Sequence, residues 1–163
     1  KEGILFDGTD DQLIGTVSIS QPYHIFAVMA QTTWTANDRV LEHDSGGNAI
    51  IRQQQSGGAA YDVRMGAGTA TVNQVDPGDA LWHAYGWFFN AASSYATLDG
   101  ADTGTANPGT TNMNRISLAS TVAGGNYANI GLAEFFVLDQ EIDAGEEANW
   151  EAYVTSRYDI AFA

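Results

Sequence analysis

Short runs rich in β-branched and aromatic residues, each closed by a turn carrying Gly, Asp or Asn, recur along most of this chain. That punctuation leaves little room for anything but antiparallel β-structure. The 163 residues include 18 Gly and only 3 Pro. Tyr23 to Gln31 is the strongest strand. Arg39 to His43 and Ala49 to Gln54 read as a hairpin around Asp44-Ser45-Gly46-Gly47-Asn48. Tyr61 to Met65 and Thr69 to Val75 follow, split by Gly66-Ala67-Gly68. Leu81 to Phe89 comes after an Asp76-Pro77-Gly78-Asp79 turn, and Tyr95 to Leu98 returns beside it. Gly3 to Phe6, Gln12 to Ile14, Asn114 to Ala119 and Ala128 to Leu138 complete the strands, while residues 100–112 read as a polar loop.

One segment breaks the rhythm. From Asp143 to Tyr158 the period is helical, with Trp150, Tyr153, Val154 and Tyr158 on one face. Asp143 is a good N-cap and Glu146 completes a capping box. The aromatic stripe is expected to pack on the strands. About eleven antiparallel strands with one peripheral helix fit a two-sheet jelly-roll sandwich, in one domain spanning residues 1–163.

Charge removes several functions. Asp and Glu number 20 against 6 Lys and Arg, giving a formal net charge of −14. Such a surface repels nucleic-acid phosphate and anionic lipid. With no cysteine there is no disulfide framework, thiol catalysis or Cys-based zinc site. No run approaches the roughly 20 apolar residues of a membrane span, so membrane insertion is not expected. No signal-peptide pattern is seen, and the opening on Lys1 rather than Met suggests a processed or trimmed chain.

Three separated segments carry a family resemblance: Leu5-Phe6-Asp7-Gly8-Thr9-Asp10-Asp11-Gln12-Leu13; Trp82-His83-Ala84-Tyr85-Gly86-Trp87 with Leu98-Asp99-Gly100; and Ile130 to Tyr158. In this order and spacing they resemble the laminin-G-like branch of the concanavalin A-like lectin/glucanase superfamily. The resemblance implies the same jelly roll, with an acidic turn after the first strand and a structural histidine at His83. It implies less about a ligand, because the superfamily mixes lectins, enzymes, adhesion modules and virion parts on one scaffold. Between Gln31 and Asn73 only the strand rhythm matches.

Catalytic patterns are scarce. A retaining glycosidase needs two carboxyl groups about 5–5.5 Å apart, and the glucanase pattern Glu-x-Asp-x-x-Glu does not occur. Glu42 and Asp44, two apart, are the nearest pair, but they lack the motif around them and a solvated strand end is the preferred reading. Glu134 stands alone in an apolar strand, as an edge or partnered residue. His24, His43 and His83 lie far apart, and no Gly-x-Ser-x-Gly, zinc or phosphate-loop motif is present. Asp7, Asp10 and Asp11 cluster at Gly8 and offer hard oxygens to Ca²⁺. The competing reading, which the resemblance favours, is an acidic turn that bonds its own backbone.

Carbohydrate binding needs aromatic faces and planar polar groups. Arg52 and Arg64 alternate with apolar neighbours on adjacent strands. Tyr85 and Trp87 share a face with His83, and Tyr95 follows on the next strand. These residues are expected to line a groove if their strands build one concave sheet; otherwise Tyr85 and Trp87 are core and the arginines cover an edge. Trp34, in a polar loop, is the leading single contact candidate. The expectation is a non-catalytic, extracellular glycan-binding module. A virion decoration, capsid or fibre domain docking on a neighbouring protein or a second copy is the alternative, and a divergent polysaccharide-degrading enzyme a minor one.

Overall fold

Among the described residues, twelve strands divide into two six-stranded sheets, with every pair of neighbouring strands antiparallel. The computed structural model describes residues 2–44, 46, 49–55, 61–68 and 71–162. Along the chain run β1 (Ile4–Asp7), β2 (Leu13–Ile19), β3 (Tyr23–Thr33), β4 (Arg39–Glu42), β5 (Ala49–Gln55) and β6 (Tyr61–Ala67). Then come β7 (Thr71–Asp76), β8 (Trp82–Phe89), β9 (Tyr95–Leu98), β10 (Ala101–Asp102), β11 (Met113–Leu118), β12 (Asn129–Leu138) and α1 (Ala144–Tyr158). The first sheet is ordered β1-β12-β3-β8-β9-β10 and the second β2-β11-β4-β5-β6-β7. This is the expected sandwich with one C-terminal helix.

The two sheets are buried differently. In the second sheet the pleat alternates along the middle of β6: Val63 and Met65 are fully buried while their neighbours Asp62 and Arg64 reach solvent. A sheet with one solvated face reads this way. In β3 every residue from Tyr23 to Gln31 is buried. Tyr23, Ile25, Ala27 and Met29 enter the main core between the sheets. Val28 belongs to a second cluster with Ala84, Val154, Tyr158 and Ile160, where α1 covers the outer face of the first sheet.

The helix starts as its sequence predicts. Gly145 and Glu146 backbone N–H groups donate to Asp143 Oδ1 at 2.8 and 2.9 Å, and Asp143 N donates to Glu146 Oε2 at 3.0 Å. It is pinned near its far end by Glu134 of β12, whose Oε1 accepts from the hydroxyls of Tyr153 and Tyr158, both at 2.6 Å. Arg157 Nε lies 3.3 Å from the same oxygen. These donors, Tyr153 foremost, hold the Glu134 carboxyl below its usual range. Glu134 is therefore the partnered residue of the sequence reading.

Several boundaries differ. β2 runs to Ile19, well beyond Ile14, and β6 continues through Ala67. Part of the expected Asp44–Asn48 turn (residues 45, 47 and 48), and Thr69 at the expected start of β7, lie outside the described residues.

Candidate functional site

The outer face of β4 to β7 carries a row of planar polar side chains. Inward positions on these strands hold Ile51 and Gln53, Val63 and Met65, Val72 and Gln74, all buried. The intervening positions must face the other way. Arg39 pairs with Arg52, Arg52 with Arg64, and Arg64 with Asn73, so the four side chains line up across four strands. Three of the chain's six basic residues meet here.

Partners within the protein are sparse. Arg52 Nη1 donates to Asn37 Oδ1 at 3.1 Å, and Arg39 Nη1 donates to the Asn37 carbonyl at 3.3 Å. Arg64 Nη2 stands 3.6 Å from Asp62 Oδ2. The Nε atoms of all three arginines are buried and lack a hydrogen-bond partner among the described residues. Burial first, and then Arg52, pushes the Arg39 pKa down; burial and then Arg64 does the same to Arg52.

Sequence reasoning found Arg52 and Arg64 but missed Arg39. The reason is a register shift between Arg39 and Leu41. Leu41 pairs with Ile51, and continuing that register would set Arg39 opposite Gln53, whose side chain points inside. One extra residue in β4, at Val40, turns Arg39 outward instead. No local signal announces such a bulge.

Tyr85 and Trp87 do not belong to this face, which corrects the groove expectation. They lie in β8 of the first sheet, each 1 % exposed, stacked on one another at 5.4 Å within the main core. The Tyr85 hydroxyl donates to Asp76, and Gln31 Nε2 donates to that hydroxyl at 3.1 Å. Tyr95 packs against Phe88 and His24 in the same sheet. Trp34 also departs from expectation: it is half-buried, packs on the main core and lies 4.9 Å from the Tyr61 ring. Its loop folds back on β5 through Asn37 N to the Gln53 carbonyl and Gln53 N to the Asp38 carbonyl. That removes the premise of an exposed loop tryptophan.

The acidic turn uses its own carboxylates. Thr9 N donates to Asp7 Oδ1 at 2.8 Å, and Asp7 N donates to Asp11 Oδ2 at 3.1 Å. Among the described residues no group of three or more His, Asp or Glu is placed to hold a metal ion. Glu42 and Asp44 are not a solvated strand end: both are buried, Glu42 with a hydrogen bond from the Val122 backbone, while Asp44 accepts from Asn114 Nδ2 and from Gly46 N. His43 sits in the interior against Tyr23 and Phe89, where burial pushes its pKa down to about 3; His24, also buried, falls to about 4. His83 is held between Asp99 and Asp79 at 2.6 and 3.0 Å.

No family model matches the chain, and no curated protein matches it. Solved structures do share its fold. A native heptameric SAP-like pentraxin from Limulus polyphemus is 8% identical, with 87% of this chain and 77% of that one covered and a TM-score of 0.68. Domain 4 of AbnA, a GH43 extracellular arabinanase from Geobacillus stearothermophilus, solved in complex with arabinotriose, is 12% identical over 82% of this chain and 68% of that one, TM-score 0.60. Domains LG4-5 of the mouse laminin alpha1 chain give 13% identity, 85% and 42% coverage and a TM-score of 0.56. At such identities the likeness establishes the fold alone. It extends over proteins of several different kinds and places the chain in no single family.

Proposed function

We propose that this chain is a non-catalytic recognition module that binds carbohydrate at an extracellular surface through the outer face of β4 to β7. The observation that carries the reading is the in-register row Arg39, Arg52, Arg64 and Asn73 on the solvent side of the second sheet. Planar guanidinium and amide groups with spare donors suit the hydroxyls and ring substituents of a sugar. The arabinotriose complex of a similarly folded domain supports the ligand class. Support for a role without catalysis comes from Glu42 and Asp44, whose carboxylates already accept hydrogen bonds within the protein. Among the described residues no helix is long and apolar enough to cross a membrane.

The test is a glycan array probed with the wild type and Arg52→Gln, each with and without Ca²⁺. Saturable binding weakened in the variant supports the reading. A blank array rejects it.

A second reading, assembly with a like or neighbouring surface or virion protein, rests on one observation. Ile4 and Leu5 of β1, and Leu13 and Ile14 of β2, are 53, 66, 47 and 48% exposed on the terminal strands of their sheets. Ile4 and Leu13 line one cleft with Leu118 and Leu132. Exposed, uncharged edges invite pairing. Sedimentation velocity at tens of micromolar is the check, and a clean monomer would reject self-assembly.

A further inference from the structure

We infer that the arginine row is an oxyanion site, selecting glycans that carry a single carboxylate or sulfate group. The inference rests on the carbohydrate-binding reading and narrows its ligand class.

Three observations converge. First, like charges stand directly opposite one another twice in succession, Arg39 against Arg52 and Arg52 against Arg64. Strands in a sheet are about 4.8 Å apart, so each guanidinium lies beside another positive group, an arrangement that works against folding unless a counter-charge arrives. Among the described residues the counter-charge is partial: Glu42 and Asp38 act on Arg39, but less than burial and Arg52 do, and no acidic group offsets Arg64 at Arg52. The chain has 20 Asp and Glu, yet among the described residues the only ion pair in the row joins Arg64 to Asp62. Arg39 and Arg52 donate instead to the neutral carbonyl and amide oxygens of Asn37.

Second, the guanidinium stems are held. All three Nε atoms are buried, and the Arg64 side chain is only 24% exposed. Held, partly desolvated forks are preorganised to meet two oxygens of a carboxylate or sulfate at once, which a lysine cannot match.

Third, the surroundings limit the ligand. The formal charge is −14, so the field away from the row repels anything with many negative charges. A polyanion such as a heparin-like chain or nucleic acid is disfavoured, while one anionic group on an otherwise neutral sugar gains the local attraction with little long-range penalty. Asp62 stands beside Arg64, and Asp38 and Glu42 act on Arg39, which leaves Arg52 at the middle of the row as the least neutralised member and the focus of the anion.

The experiment is an array of matched neutral, carboxylate-bearing and O-sulfated oligosaccharides, followed by calorimetric titration of the best ligand into wild type, Arg52→Gln, Arg52→Lys and Arg64→Gln. Thermal melts of each variant confirm folding. Binding confined to anionic members, with affinity falling about tenfold or more in Arg52→Gln and only partly kept in Arg52→Lys, is the expected result. The carboxylated and sulfated arms identify the source of the oxyanion. Equal binding of neutral and charged members, still weakened in Arg52→Gln, would overturn this inference and leave the carbohydrate reading standing; binding unaffected by Arg52→Gln and Arg64→Gln would remove the arginine row from both. Affinity that climbs with the number of charges along a polyanion would overturn the single-anion form. A blank array would overturn both readings.

Discussion

The Tyr85 hydroxyl donates to the Asp76 carboxylate across the interior, tying β8 of the first sheet to β7 of the second. Both residues are at most 5% exposed, and burial foremost raises the pKa of each. A carboxylate buried this way is costly unless its donors stay in place. Tyr85→Phe leaves Asp76 one donor short, and we expect a loss of about 2 kcal/mol in urea unfolding with ligand binding unchanged. Reduced binding at full stability would return Tyr85 to the ligand site.

His83 gives the fold a dependence on alkaline pH. Its bond to Asp99, then that to Asp79, raises the pKa from 6.5 to about 9. A base whose pKa rises on folding stabilises fully below its unfolded pKa, and that stability is lost as pH climbs through the folded value. The window therefore runs from about pH 6.5 to about 9. Discounted for solvent screening at a half-buried site, the effect is about 1–2 kcal/mol, or several degrees in Tm. His83→Gln should flatten the Tm profile across that window. A variant profile parallel to the wild type would refute the assignment.

Trp34 and Arg52 should respond in opposite ways. Trp34 packs on the core and on Tyr61, so Trp34→Ala is expected to cost about 2–3 kcal/mol. Arg52→Gln removes the middle of three like charges and should melt no lower than the wild type. Denaturant midpoints for the pair decide the matter: an unchanged midpoint in Trp34→Ala would restore it as a surface contact.

The helix is a second, separately testable layer. Val154 of α1 is fully buried beside Val28 and Ala84. Val154→Ala should cost on the order of 2 kcal/mol. Glu134→Gln weakens the acceptor shared by Tyr153 and Tyr158 and should release the end of the helix first. Hydrogen exchange would then show faster exchange in the last turn of α1 than in β3. Uniform acceleration over the whole fold would mean that the helix has no independent opening.

Some of this was readable locally. Asp143 and Glu146 are three apart, and a capping box needs nothing beyond those neighbours, so the helix start was legible. The period-two pattern around Arg52 and Arg64 set both on the polar face, because their neighbours Ile51, Gln53, Val63 and Met65 are buried. The end of β2 was not legible. Gly15, Thr16 and Ser18 are exposed on an edge strand, where the residues pack against little and sequence pattern fades. Tyr85 and Trp87 misled for the opposite reason. β8 is buried on both faces, by the main core and by α1, so alternation could not say which face met solvent.

By itself the sequence determined the all-β character, the single capped helix, the acidic surface and the polar side of the two central arginine strands. These follow from periodicity, turn chemistry and charge, which act over a few residues or over the whole composition. Tertiary structure alone decided which sheet each strand joined and what stands beside what. It put Arg39 into the row through one bulged residue, took Tyr85 to Asp76, and folded the Trp34 loop onto β5. Each of these depends on hydrogen-bond register between distant segments, and a shift of one residue there exchanges the inside of a sheet for the outside.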